Sequence, residues 1–141
     1  MKWAKRAKQE FKIATVDVDR MESFAQFDDG PGDSLMLSII ELFMSDSPKM
    51  IDGLKQASVS SNGPTIHKIA HSLKSSSSNI GATRLAKLCE DLEGQTDPES
   101  KSTKVDFKKA SLTIEQEFTC VIRDLEIIKC LAEGRTAPRA S

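Results

Sequence analysis

Between residues 107 and 128, Phe107, Ile114, Phe118, Val121, Leu125 and Ile128 follow one another at intervals of 7, 4, 3, 4 and 3. Those intervals return to one face of a helix with 3.6 residues per turn and do not fit the two-residue period of a strand. The pattern recurs upstream. Met36, Ile40, Phe43, Met50, Leu54 and Ala57 are spaced 4, 3, 7, 4 and 3; Ile66, Ala70, Leu73 and Ser77 are spaced 4, 3 and 4. Leu85, Leu88, Cys89 and Leu92 make a fourth stripe. The punctuation between stripes is strong. Asp28-Asp29-Gly30-Pro31-Gly32 precedes the helix over 34–59, with Asp33 or Ser34 as its cap. Ser60-Ser61-Asn62-Gly63-Pro64 precedes the helix over 64–78, with Pro64 suited to a first helical position. Asn79-Ile80-Gly81 and Thr96-Asp97-Pro98 bound the helix over 82–95. The last helix spans 102–133, stopped by Gly134, with Pro138 just beyond. Pro48 lies inside the first long helix, and a kink is expected near residues 44–47.

A helix with one apolar stripe must bury it against a neighbour, and short connections favour antiparallel neighbours. The chain therefore reads as all-α: an up-down-up-down antiparallel four-helix bundle over residues 16–133. A short N-terminal helix over 17–27, with Met21, Phe24 and Phe27 inward, caps one end. Residues 134–141 read as a flexible tail. Residues 1–15 carry Lys2, Lys5, Arg6, Lys8 and Lys12 against Glu10. Trp3, Ala7 and Phe11 fall at helical spacing there, but the basic character makes this segment a solvated leader or the end of a linker.

Composition narrows the function. Hydrophobic residues make up 38% of the 141, enough for one core and too many for a disordered chain. Twenty basic residues against twenty-one acidic ones leave a net charge of −1, unlike a nucleic-acid-coating domain. No run approaches eighteen apolar residues, so no membrane span is expected. Cys89, Cys120 and Cys130 are dispersed, with no C-x-x-C pair, which fits reduced thiols in a cytoplasmic protein.

The chemistry concentrates on the helix over 64–78. Both histidines of the chain, His67 and His71, stand on it at i and i+4. With Ile66, Ala70, Leu73 and Ser77 inward, His67, His71, Ser75 and Ser78 share an outward stripe, and Lys74 lies three residues beyond His71. Two histidines are too few for a zinc site, no Glu follows the first as in a metalloprotease, and no Glu-x-x-His pair is present. No Gly-rich phosphate loop is present, so ATP binding is not expected.

The string Ala70-His71-Ser72-Leu73-Lys74-Ser75-Ser76-Ser77-Ser78-Asn79-Ile80-Gly81-Ala82, followed by Leu85, Leu88-Cys89 and Leu92-Glu93, resembles the histidine phosphotransfer (HPt) domain family. The close match covers about 24 residues. The helical layout is compatible over about residues 17–131, with Phe43, Asp46 and Pro48 on the preceding helix. The resemblance implies that His71 accepts a phosphoryl group from a receiver-domain aspartate and passes it to another. Physical chemistry agrees. Phosphoryl transfer needs in-line positioning and charge neutralisation. A neutral imidazole on a rigid helix is a ready nucleophile, and Lys74 is within reach of a phosphoryl oxygen. His67 has Ala70, not a lysine, three residues on, and is the weaker acceptor.

Ser75 stands where the family usually has Gly, adding a hydroxymethyl to the docking face. Ser75, Ser78, His67 and Ile39 are expected to meet the partner. An exposed apolar patch from Leu35–Met44 is expected beside His71. Cys89 matches an interior family position. The expectation is thus a monomeric phosphorelay intermediate in two-component signalling, without independent turnover or a cofactor of its own. Its partners would be response-regulator receiver domains, which would hold the Mg²⁺, and a hybrid sensor histidine kinase. The alternative is a helical-bundle binding or oligomerisation module whose histidine is never phosphorylated.

Overall fold

A computed structural model describes residues 2–24, 34–98 and 105–135. Among these, six helices follow in order: α1 (Lys2–Gln9), α2 (Val18–Ser23), α3 (Ser34–Val59), α4 (Gly63–Asn79), α5 (Thr83–Gln95) and α6 (Phe107–Ala132). The expected turn at 28–32, Phe27, Asp33, Ser102 and the end of the tail lie outside the described residues.

The four long helices close a ring in which α3 packs on α4, α4 on α5, α5 on α6 and α6 on α3. Their stripes meet in one core. Ile40, Leu54, Ile66, Leu73, Leu85, Cys89, Val121 and Leu125 are all fully buried. The Phe43 and Phe118 rings sit 6.0 Å apart, tilted by 44°. Helix α3 continues through Pro48.

Caps set the boundaries. Asn62 accepts from the Thr65 N–H at 3.2 Å and starts α4 one residue before Pro64. Asp106 accepts from the Lys109 N–H at 3.0 Å, so α6 begins at Phe107 rather than at 102. Gly134, at φ +74°, ends α6.

Gly81 is required where it stands. It turns α4 into α5 at φ +78°, and a Cβ there would come within 3.1 Å of Asp17 Cβ. The close approach lets the Asp17 N–H donate to the Gly81 carbonyl at 2.9 Å, and Arg20 Nε donates to the Asn79 carbonyl at 3.3 Å. Helix α2 is thereby pinned over the α4–α5 corner, with Met21 buried.

The N-terminal segment differs from a solvated leader. Residues 2–9 form α1, which packs on α6 and α2. Trp3, Ala4 and Ala7 are buried, while Lys5, Arg6 and Lys8 stay outside. Lys8 pairs with Asp19 of α2, and Thr15 Oγ1–H donates to the buried Asp124 carboxylate at 2.6 Å. The physical reason lies on α6: Ile127, Cys130 and Leu131 are also buried, so its last turns carry a wider apolar face than the bundle stripe alone.

Candidate functional site

The inward stripe of α4 fixes the phase of everything else on it. Ile66, Ala70, Leu73 and Ser77 have no exposed surface. One step around the helix, His71, Ser75 and Ser78 are exposed, and His67 is half-buried. The His71 side chain keeps 61% of its surface open. The Ser75 hydroxyl folds back to donate to the His71 carbonyl at 3.3 Å, so it adds little bulk outward.

Helix α5 runs back along α4 and brings Glu93 to this stripe. His71 Nδ1–H donates to Glu93 Oε2 at 2.5 Å, and Lys74 Nζ donates to Glu93 Oε1 at 2.6 Å. One carboxylate therefore spans the pair at i and i+3. Glu93 is 15% exposed and Lys74 28% exposed, so their contact is partly sheltered, while the contact to His71 is open to solvent on the imidazole side. The Lys74 ammonium, more than the imidazole, holds the Glu93 carboxyl below the usual carboxylate range, against an opposing contribution from burial. Glu93 in turn raises the Lys74 ammonium above its ordinary value.

A carboxylate can only accept, so the Nδ1 facing it carries the proton. In the neutral ring the lone pair then resides on Nε2, on the far side from Glu93. The arrangement holds an exposed nucleophilic nitrogen with a cation one carboxylate away.

His67 faces a different partner. Its Nδ1 lies 2.9 Å from the Glu93 main-chain carbonyl and 3.3 Å from Thr96 Oγ1, at the C-terminal turn of α5. Ile39 is also set apart. It lines a cleft of about 100 Å³ between α3 and α4 with Leu42, Asp46, Ser76 and Asn79. That cleft lies at the C-terminal end of α4, roughly 8–12 Å along the axis from His71 at 1.5 Å per residue. Leu42 is 63% exposed there, while Phe43 is buried. The exposed apolar surface from Leu35–Met44 is therefore narrower than expected and two turns from His71. On the other side of α4, Lys74, Ser75 and Ser78 line an open groove of about 810 Å³ with Arg20 of α2 and Lys87 and Glu90 of α5.

Cys89 is fully buried, and burial pushes its thiol up to about 12. Among the described residues, no group of three or more His, Cys, Asp or Glu is arranged to hold a metal ion, and no helix is long and apolar enough to cross a membrane.

Glu93 and Thr96 are site residues to which sequence reasoning assigned no chemical role. A signal was present: Gly81 is the turn, His71 precedes it by ten residues and Glu93 follows it by twelve, so antiparallel helices set them level.

A family model described as "Hpt domain" matches residues 38–121. Comparison with curated proteins and with solved structures returns no match.

Proposed function

Because this chain belongs to the Hpt domain family, whose members carry phosphoryl groups on histidine and meet receiver domains rather than acting as independent enzymes, we propose that His71 is the phosphoacceptor. The observation that carries this reading is the Glu93 contact: it holds the ring proton on Nδ1 and leaves Nε2 as the nucleophile on a side chain 61% exposed. Nε2 attacks the phosphorus of a receiver's aspartyl phosphate in line, the P–O bond to the aspartate breaks, and the carboxylate leaves. The Nδ1 proton stays in place, and the positive charge that develops on the ring faces Glu93. Lys74 keeps one donor on Glu93 and offers others to the phosphoryl oxygens. Transfer to a second receiver runs the same step in reverse.

The receiver holds the Mg²⁺ in this reading, and the chain works as a monomer in the cytoplasm. It stands between a hybrid sensor kinase and a response regulator. Ser75 and Ser78 line the open groove beside Lys74 and leave room for the receiver's approach. Ile39 and the exposed Leu42 supply a second, apolar contact two turns away.

Incubation with an aspartyl-phosphorylated receiver tests the proposal. Acid-labile, alkali-stable phosphate should move onto this chain, His67→Ala should still accept it, and His71→Gln should accept none while remaining helical. Transfer to His71→Gln at the wild-type rate would overturn the assignment.

A further inference from the structure

We propose that His67 is a positioning residue for this site, acting on His71 through the main chain of Glu93. The inference rests on His71 being the acceptor. It starts from the end of α5, where the last carbonyls of a helix have no partners within it. Thr96 supplies some: its N–H lies 3.1 Å from the Leu92 carbonyl and 3.3 Å from that of Glu93, and its hydroxyl lies 2.9 Å from Leu92 O and 3.1 Å from Glu93 O. A hydroxyl has one proton, and its shorter contact is to Leu92. The Glu93 carbonyl is left with the longer contacts to Thr96, and its shortest donor is His67, which reaches it from α4 at 2.9 Å.

A carbonyl only accepts, so His67 must carry its proton on Nδ1. Both the neutral Nδ1–H ring and the imidazolium satisfy this, and a histidine donor at a helix C-terminus also suits the helix dipole. His67 stands one turn before His71 on the same helix, and the two rings bind the same residue of α5. His67 holds the Glu93 main chain while His71 and Lys74 bind its carboxylate. This cross-brace fixes the distance between α4 and the Glu93 side chain. Without it the Glu93 carbonyl is left to its longer contacts with Thr96, and the carboxylate loses its fixed place under His71.

Nitrogen-15 NMR of the histidine rings reads this directly, without any phosphotransfer. In the wild-type chain His67 should be protonated at Nδ1, and His71 should populate the Nδ1–H tautomer. His67→Ala should shift His71 toward the Nε2–H tautomer and slow phosphoryl gain from a phosphorylated receiver roughly three- to tenfold. His67→Asn, whose amide nitrogen replaces Nδ1 as donor, should restore both.

An Nε2–H tautomer at wild-type His67 would overturn the inference, even if the alanine variant failed to fold. An unchanged His71 tautomer in His67→Ala, or no rescue by His67→Asn, would overturn it as well. Failure of phosphotransfer in the wild-type chain would instead count against the acceptor assignment, since the tautomer shifts are read independently.

Discussion

Removing the Glu93 carboxylate should slow phosphotransfer without unfolding the protein. A hydrogen bond to a charged group contributes about 1.5–3 kcal/mol when sheltered. Here the carboxylate is 15% exposed but the imidazole is 61% exposed, and solvent screening pulls the value toward the lower end. The contact strengthens along the reaction, because the ring gains positive charge as Nε2 bonds to phosphorus, so its loss raises the barrier more than it weakens docking. A loss of about 1–2 kcal/mol corresponds to a roughly five- to thirtyfold slower step. Glu93→Gln keeps an acceptor but not the charge and should fall between wild type and Glu93→Ala. Stability should change by no more than about 1 kcal/mol in either variant, since a carboxylate in the last turn of α5 already faces the negative end of the helix dipole. The assay is single-turnover phosphoryl gain from a saturating phosphorylated receiver, alongside thermal melts. A wild-type rate in Glu93→Ala, or slowing only in proportion to the unfolded fraction, would refute the role.

Three other outcomes are expected. Phe118→Ala removes a buried ring packed on Phe43 and should cost about 3–5 kcal/mol, lowering the melting temperature by roughly 10–17 °C for a chain of this length; an unchanged melt would put Phe118 outside the core. Ser75→Trp should leave the fold intact, because the position is exposed, yet slow transfer strongly by filling the groove beside Lys74; normal transfer would move the docking face elsewhere. Glu93 has a folded-state pKa below the ordinary 4.5, so the stability it adds is fully present above that value and is lost as pH falls through the depressed one. Denaturant melts at pH 6 and pH 3 should therefore show a smaller acid-side loss for Glu93→Gln than for wild type, and equal losses would contradict the Lys74–Glu93 pairing.

The bundle was legible because its stripes are regular and its loops are marked by glycine, proline and capping residues. The stripe on α4 gave the phase that turns His71 outward and Ser77 inward. The boundaries were less legible. Residues 102–106 continue the polar composition of a helix start, and only the Asp106 side chain, by capturing the Lys109 N–H, decides where α6 begins. Helix α1 was hidden by its charge: the 3.6-residue spacing of Trp3 and Ala7 was visible, but its acceptor surface is the second apolar face of α6, around Ile127 and Leu131, about 120 residues further along the chain. Glu93 was visible as part of a family pattern, yet its contacts depend on the level at which two antiparallel helices meet. Such a contact between residues 22 apart is set by the turn at Gly81, not by local periodicity.

The central claim is tested most directly by finding the nitrogen that carries the phosphoryl group. The chain, labelled with nitrogen-15 and loaded from an aspartyl-phosphorylated receiver, should give long-range proton–nitrogen spectra in which one ring is modified. The account predicts a single phosphoryl group on Nε2 of His71, with His67 unmodified and still protonated at Nδ1. Phosphate on His67, phosphate on Nδ1 of His71, or no loading at all would contradict it.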